Sequence, residues 1–493
     1  MCGIIAAFDY GTVERGVEAA RHRGPDAIGI VGSGGVVLGH TRLAIVDLDA
    51  RSNQPFTYGR VTLAYNGETW NYRAVRAELE GLGRMFYTAG DTEVVAAAID
   101  VWGWEGLRKL DGMFAVAWTT GDGQLWLARD RFGEIPLHYS GDVAASELKV
   151  LAAGTLAVRP SAYVPPGGVV VLEKGKASRT FPFHANSQPA TSPLGFEAAV
   201  AAVRTAVCRG VTDRTMADVP VCTLLSGGLD STAVAWAAKQ VMPSLIAYTA
   251  VQDERSRDLR MARLAAAHVG CELREVTIPR PTPADLARTV AAIEMPHKAQ
   301  VEIGWACLVL AARIAADGFK VVFSGEGSDE LWGSYGFAYH GIKAQGWHAY
   351  RRGLFMEQHR KNFARCNKAF MTAGVECRLP FLHPPLVDLA WSLPEDRVRR
   401  GKRPKAVLEA AFADVLPREI LTRAKVAFQE GLGMREAAAA AVDGPAAFYK
   451  DVFERIYGPS TNHRRSAVAD RGSSETDHGC VRSEISDAQR DLF

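Results

Sequence analysis

A cysteine stands directly behind the initiator methionine, at Cys2. Removal of Met1 would leave Cys2 with a thiol and a free α-amino group on one Cα. Their ordinary pKa values, about 8.5 and about 7.7–8.0, are close enough for the two to exchange a proton, directly or through a water. The thiolate is the nucleophile, and the neighbouring amine can serve as its base. Attack on an amide carbonyl also needs donors for the oxyanion. Asn66-Gly67, at the end of an apolar run, offers a side-chain amide and a backbone N–H, and one such donor lowers the barrier by about 3–4 kcal/mol. Arg42 can hold a carboxylate through two parallel hydrogen bonds, and Asp91 can pair with an α-ammonium. Together these groups describe a site for a free amino acid with a side-chain amide, glutamine. Each residue also has a plainer reading: Asn-Gly as a hairpin turn, Arg42 and Asp91 as surface charges, Cys2 as an accident of the start.

A second set lies in the other half of the chain. The apolar run 219–225 ends in Ser226-Gly227-Gly228-Leu229-Asp230-Ser231-Thr232 and continues into an Ala-rich helix. Glycines let backbone N–H groups approach an anion, and the helix N-terminus adds a favourable dipole. Ser226, Ser231 and Thr232 add hydroxyl donors. No lysine follows, which separates the turn from the Gly-x-x-x-x-Gly-Lys loop. Residues 320–323 end in a similar turn, Ser324-Gly325-Glu326-Gly327-Ser328-Asp329-Glu330. Carboxylates at such strand ends can hold Mg²⁺, which takes oxygen ligands shared with phosphates; Asp230 and Asp329 are the candidates.

The elements that must position these groups fall into two patterns. Residues 4–8, 61–65, 113–118 and 124–130 read as strands, with β-rich stretches at 36–38 and 43–46 separated by Gly39-His40-Thr41-Arg42. Helical spacing appears at 72–82 and 94–102. This mix suggests an α+β sandwich. Beyond residue 190, strands at 219–225, 244–251, 272–278 and 320–323 alternate with helices at 193–210, 233–240, 259–270, 286–293 and 304–317. Alternation of this kind indicates a parallel α/β sheet with its chemistry at the carboxyl ends of the strands.

At 493 residues the chain is too long for one core. Hydrophobic content of 48% and charged content of 23%, with a net charge of +2, are ordinary for a globular enzyme and give no basic surface for nucleic acid or anionic lipid. No uninterrupted apolar run approaches the ~20 residues of a membrane span, and no basic-then-apolar leader precedes Cys2. The eight cysteines are scattered without a Cys-x-x-Cys pair, so reduced thiols in a cytoplasmic setting are expected.

Met1-Cys2-Gly3-Ile4, Arg21-His22-Arg23-Gly24-Pro25-Asp26, Arg42-Leu43-Ala44-Ile45-Val46-Asp47, Tyr65-Asn66-Gly67-Glu68, Gly90-Asp91-Thr92-Glu93 and Asp111-Gly112-Met113-Phe114-Ala115 follow one another in the order seen in asparagine synthetases. Their N-terminal domains are class II glutamine amidotransferases of the N-terminal nucleophile (Ntn) hydrolase class. Ser226 to Ser231 resembles the ATP-pyrophosphatase motif. Ser324 to Glu330, the Gly374-Val375-Glu376-Cys377-Arg378-Leu379-Pro380-Phe381-Leu382 block and Arg423-Ala424-Lys425 extend the resemblance to about residue 456. The resemblance implies an Ntn hydrolase sandwich over residues 1–190, an α/β parallel-sheet ATP-pyrophosphatase domain over 191–458 and a disordered tail over 459–493.

It further implies Cys2 as nucleophile and base, with Asn66 and Gly67 as the oxyanion hole. Arg42, Val46, Asn66, Gly67, Glu68 and Asp91 would contact glutamine. Leu225, Ser226, Gly227, Gly228, Asp230, Ser231, Thr232, Val251, Ser324 and Gly325 would contact ATP. Asp230 and Asp329 would hold Mg²⁺, Glu326 would handle the acyl-adenylate and ammonia, and Lys425 the phosphates. The expected partners are glutamine, ATP and a carboxylic acid acceptor, with no nucleic acid or membrane; a homodimer is left open. Three departures stand out. Ile135 occupies a position where many members carry lysine, and His383 replaces an expected aspartate. Residues 294–305 do not match the acceptor segment, and Trp305 suggests a bulkier acid. An alternative is therefore a relative from specialised metabolism that acts on another acid or delivers another nitrogen nucleophile such as a hydroxylamine.

Overall fold

A run that is apolar at every position has no solvent face and must be covered on both sides. In the computed structural model of the chain, Gly3–Ala7 is such a strand, buried throughout and flanked by antiparallel Val36–Arg42 and Val143–Ala145. Alternate side chains enter different cores. Ile4 and Ala6 point into the main core, while Ile5 and Ala7 pack with Val13, Val17, Val150 and Leu151 of helices Tyr10–Ala19 and Leu148–Thr155. The structure describes residues 1–458 except 254, 255, 336, 337, 402 and 424–427.

The first half is a sandwich of two six-stranded antiparallel sheets. One runs Ala162–Tyr163, His138–Ser140, Val143–Ala145, Gly3–Ala7, Val36–Arg42, Ala27–Ser33. The other runs Arg179–Pro182, Gly168–Glu173, Gln124–Arg129, Gly112–Thr119, Val61–Thr69, Phe56–Tyr58. On the second sheet Ala64, Ala115 and Ala117 face the main core. Leu63, Phe114, Val116 and Trp118 face a separate core with Val95 and Ile99 of helix Asp91–Trp102. The sequence reading broke the strand at Gly39-His40-Thr41-Arg42. The structure runs Val36–Arg42 without a break and leaves 43–46 outside any strand. Gly39 permits helix packing there, since a Cβ would lie 2.4 Å from Val17 Cγ2 and 2.6 Å from Val13 Cγ1. Its hairpin partner Ala27–Ser33 turns at Gly34-Gly35, with φ of 57° and 83°. That Gly-Gly pair was a missed hairpin signal.

The second half holds a five-stranded parallel sheet in the order Glu272–Thr277, Ile246–Val251, Val221–Leu224, Val321–Phe323, Glu376–Arg378. The two Gly-rich turns follow neighbouring strands, with Val221 opposite Val321 and Thr223 opposite Phe323. Helix Lys298–Ala316 is, among the described residues, the one with length and hydropathy sufficient to cross a bilayer, and half of its apolar window is buried inside the fold.

The halves share one hydrophobic core, from Ile4 and Leu127 to Phe355 and Trp391. At their junction Asp130 accepts hydrogen bonds from the backbone N–H groups of Phe114, Phe132, Glu134 and Ile135. Arg129 donates to the Ile135 and Val164 carbonyls. Ile135 is itself 1% exposed, so the position that departs from the lysine pattern is an apolar core position. Phe132 meets Phe355 edge-on at 5.4 Å, and Phe355 meets Trp391 at 5.6 Å. Phe355→Ala removes the middle ring of this stack and is expected to cost about 3–5 kcal/mol in urea unfolding. An unchanged unfolding midpoint would refute that role for the stack.

Candidate active sites

Cys2 lies beside the central strand of the first sheet, and its position is fixed by groups from three directions. Its backbone N–H donates to Asn66 Oδ1 at 2.7 Å. Its carbonyl accepts from Arg23 Nε at 2.9 Å, and Arg23 also binds Glu147 (2.5 Å) and Asn367 (3.0 Å). That accounts for the Arg21 to Asp26 block. Asp26 in turn accepts from the Ala44 N–H and from Lys320 Nζ, both at 2.7 Å. The described chain retains Met1, whose ammonium lies 2.7 Å from Glu376 Oε2. Burial pushes the Cys2 thiol pKa up, and the nearby N-terminal ammonium pulls it back.

Asn66 and Gly67 are not a hairpin turn. Both sit in strand Val61–Thr69, opposite Ala115 and Phe114. Gly67 has φ 146°, and a Cβ there would lie 2.0 Å from the Met113 carbonyl oxygen, so only glycine fits. His40 supports this strand from the first sheet. Its Nε2 lies 3.0 Å from the Tyr65 carbonyl, and burial lowers its pKa to about 3, so the ring is neutral and donates. With Asn66 Oδ1 engaged by Cys2, Asn66 Nδ2 is buried with no partner, as is Glu68 Oε2. An unmatched donor beside the nucleophile and an unmatched acceptor two residues on suit an oxyanion and an ammonium respectively.

Met1, Cys2, Arg42, Val46, Gly67, Glu68 and Asp91 line one small cavity. The sequence reading thus named residues that the fold brings together. Asp91 is not a surface charge: it is buried at the first turn of its helix and accepts from the Thr69 N–H at 2.8 Å. Burial raises its pKa to about 6. Arg42 is also buried, and its two terminal nitrogens serve the Asp47 and Asp49 carbonyls and Asn53 Oδ1, shaping the loop that carries Val46.

The two Gly-rich turns of the second half form one cleft. A Cβ on Gly325 would lie 2.9 Å from Ser231 N, so the turns touch. Gly227 has φ 69°, and a Cβ there would lie 2.3 Å from the backbone of Met261. Ser226 and Ser231 hydroxyls are 3.0 Å apart, and Thr232 Oγ1 donates to the Gly228 carbonyl at 2.7 Å. Leu225 and Val251 end neighbouring strands, and the Leu225 N–H donates to the Tyr248 carbonyl at 2.8 Å. Ser324 opens the second turn at the same edge, and its hydroxyl accepts from the Glu326 N–H at 3.2 Å.

Lys405, which the sequence reading missed, bridges the two metal candidates. Its Nζ lies 2.6 Å from Asp230 Oδ2 and 2.7 Å from Asp329 Oδ1. The two carboxylates therefore already hold a cation between them, and their oxygen chemistry fits Mg²⁺ shared with phosphates. Among the described residues no cluster of three or more His, Cys, Asp or Glu forms a full protein cage for a metal. Lys425 lies outside the described residues, as does the 459–493 tail.

Glu326 pairs with Arg365 at 2.5 Å. Arg365 also binds Gln300 Oε1 at 2.6 Å, and Gln300 donates to Asn362 Oδ1 at 2.7 Å. Asn362 holds Glu330 Oε1 at 2.6 Å, and Glu330 is pushed up to about 7 by burial and by the charge of Glu326. Two departures noted in the sequence lie away from this network. Trp305 donates to the Pro279 carbonyl at 2.9 Å, on another face of its helix from Gln300. His383 packs against Gly210 and lies 4.0 Å from Asp213, with its pKa lowered to about 3 by burial.

A buried thiol on an antiparallel sandwich joined to a pair of Gly-rich turns on a parallel sheet is the arrangement of a two-centre, glutamine-dependent ligase. The chain belongs to the glutamine-hydrolysing asparagine synthetase family. The glutamine amidotransferase domain pattern matches residues 1–163, and the asparagine synthase pattern matches 202–362 and 343–457. The chain is 32% identical over 470 residues to asparagine synthetase B (glutamine-hydrolysing) of Escherichia coli strain K12, covering 88% of this chain and 83% of that protein. It is 32% identical over 471 residues to asparagine synthetase 3 of Arabidopsis thaliana, covering 88% and 79%. To the Brassica oleracea asparagine synthetase it is 30% identical over 472 residues, covering 88% and 78%. It is an asparagine-synthetase-like amidotransferase with an ATP-pyrophosphatase domain.

Lys405→Met removes the ammonium that bridges Asp230 and Asp329. ATP-dependent pyrophosphate release is expected to fall by about two orders of magnitude, while glutamine hydrolysis continues; equal pyrophosphate release would remove the assignment. Asp91, raised by burial to about 6, and Glu68, also raised by burial, share the acid limb of this cavity. The kcat/KM for glutamine should therefore decline below that pH, and a profile flat down to about pH 4.5 would contradict it.

Proposed function

We propose that this enzyme transfers the side-chain nitrogen of glutamine to aspartate, forming asparagine with cleavage of ATP to AMP and pyrophosphate. Once Met1 is removed, the Cys2 α-amine takes the thiol proton and the thiolate attacks the glutamine amide. Asn66 Nδ2 and the Gly67 N–H receive the oxyanion, Glu68 and Asp91 hold the α-ammonium, and Arg42 and Val46 shape the carboxylate end. The protonated amine returns its proton to the leaving nitrogen as ammonia departs, and water then hydrolyses the γ-glutamyl thioester. A cytoplasmic setting, where thiols stay reduced, suits such a nucleophile.

In the second half, the turn from Ser226 to Thr232 and the N-terminus of helix Leu229–Val241 receive the ATP phosphates. Leu225, Val251, Ser324 and Gly325 line the same edge. Asp230 and Asp329 would hold Mg²⁺, which when bound neutralises phosphate charge. Lys405 neutralises those carboxylates from the protein side, and Lys425 is assigned to the phosphates on the resemblance alone. The acceptor carboxylate attacks the α-phosphorus, pyrophosphate leaves, and ammonia displaces AMP from the acyl-adenylate beside Glu326. We place the division between the two units near residue 190, ahead of helix Phe196–Asp213.

The observation that supports this reading most directly is the pair of buried, unmatched atoms beside Cys2, Asn66 Nδ2 and Glu68 Oε2. Aspartate as acceptor is supported by the activity that the relatives' names state. Cys2→Ala is expected to abolish glutamine-driven amidation and keep ammonia-driven amidation. Asp230→Ala should do the converse, stopping pyrophosphate release while glutaminase activity survives. Pyrophosphate exchange with a panel of carboxylic acids tests the acceptor: aspartate should give the highest kcat/KM, and a different preferred acid would replace it.

A further inference from the structure

Strand Glu376–Arg378 is the edge strand of the parallel sheet, so alternate residues leave it on opposite sides. Cys377 turns toward Cys366, whose sulfur is 3.7 Å from Glu326 in the synthetase site. Glu376 and Arg378 turn the other way, across the junction and into the glutaminase half. Both are fully buried. Arg378 is fixed by Glu376 Oε1 at 2.6 Å, by the carbonyls of Arg214 and Met216 at 2.5 and 2.7 Å, and by the Trp70 ring 5.0 Å away. Its remaining nitrogen, Nη2, is buried without a hydrogen-bond partner and faces Glu68 Oε1 at 3.7 Å. Glu68 Oε2 is likewise unmatched. A guanidinium held on three sides, with its last donor turned to a pocket carboxylate, is placed to govern that carboxylate.

The charges around Glu68 explain the need. Two further carboxylates face it: Asp91 from its helix and Glu376 from the edge strand. Two cations act on it: Arg378 and the Met1 ammonium. Cys2 and Tyr65 also border it. Burial, Glu376 and Asp91 drive the Glu68 pKa well up, and Arg378 and the terminal ammonium oppose them. A protonated Glu68 would lose its pull on an α-ammonium.

We propose that Arg378 is a positioning residue for glutamine hydrolysis supplied by the synthetase half: its free Nη2 faces Glu68 and aims that carboxyl group at the substrate ammonium. The glutaminase pocket is thus complete only when the two halves are docked. This rests on the reading of the Cys2 cavity as a glutamine site.

The test uses the full-length enzyme with Arg378→Met, Arg378→Lys, Glu68→Gln and the Arg378→Met/Glu68→Gln double variant. Glutaminase kcat and KM are measured against pH, with ammonia-driven amide formation as the report on an intact fold. Arg378→Met should raise the glutamine KM by about tenfold with a much smaller change in kcat. Its acid limb should move up by about one pH unit, because Glu68 without its cation is protonated at higher pH. Arg378→Lys should recover most of both. In the Glu68→Gln background, Arg378→Met should change KM no further. With ammonia-driven synthesis retained, unchanged KM and acid limb or additive effects in the double variant would each overturn the assignment. If Arg378→Met does not fold, Arg378→Lys against Arg378→Lys/Glu68→Gln decides in the same way. A wild-type enzyme without glutaminase activity would instead refute the functional reading itself.

Discussion

The charged start of the polypeptide is enclosed within the protein. The Met1 ammonium lies 2.7 Å from the Glu376 carboxylate, and both side chains are fully shielded from solvent. Removing an ion from water costs several kcal/mol unless a partner and further hydrogen bonds compensate. Here the partner comes from the opposite half of the chain and is itself held by Arg378. The first strand, Cys2 just ahead of it and the edge of the parallel sheet are therefore tied together at this contact. The apolar core that the two halves share reinforces this contact.

Helix Asn362–Met371 shows how close the two chemistries lie along the chain. Asn367 touches Arg23 and the Met1 sulfur on the glutaminase side. Arg365 and Cys366, two and one residues earlier, touch Glu326 on the synthetase side. A shift of this helix would be felt at both centres, because close-packed interiors transmit displacement rather than absorb it. The buried charges around it, Lys368 with Glu294 and Arg23 with Glu147, give the helix a defined seat.

Much of this was legible in the sequence. Uniformly apolar runs gave the buried strands, because a strand covered on both faces shows no alternation. The Gly-rich turns marked the ends of two neighbouring parallel strands, because close backbone approach leaves a mark that does not depend on distant residues. Cys2, Asn66, Gly67, Glu68 and Asp91 carry chemistry in their types and converge as expected. What the sequence withheld is through-space. Arg378 meets Glu68 across three hundred residues, and Lys405 finds Asp230 and Asp329 only because neighbouring parallel strands place both turns together. Asn66-Gly67 mimicked a hairpin because the dipeptide suits both settings; only the register opposite Ala115 and Phe114 tells them apart. Trp305 and His383 stood out by type, yet the fold gives each a packing position outside the Glu326 network.

The enclosure of Met1 also sets an order of maturation. An aminopeptidase needs a protruding, mobile terminus, and Met1 at 2% exposure offers none. Removal of Met1, which the proposed chemistry at Cys2 requires, therefore belongs before the two halves close over it. For the same reason an extension ahead of Met1 would have no room to emerge.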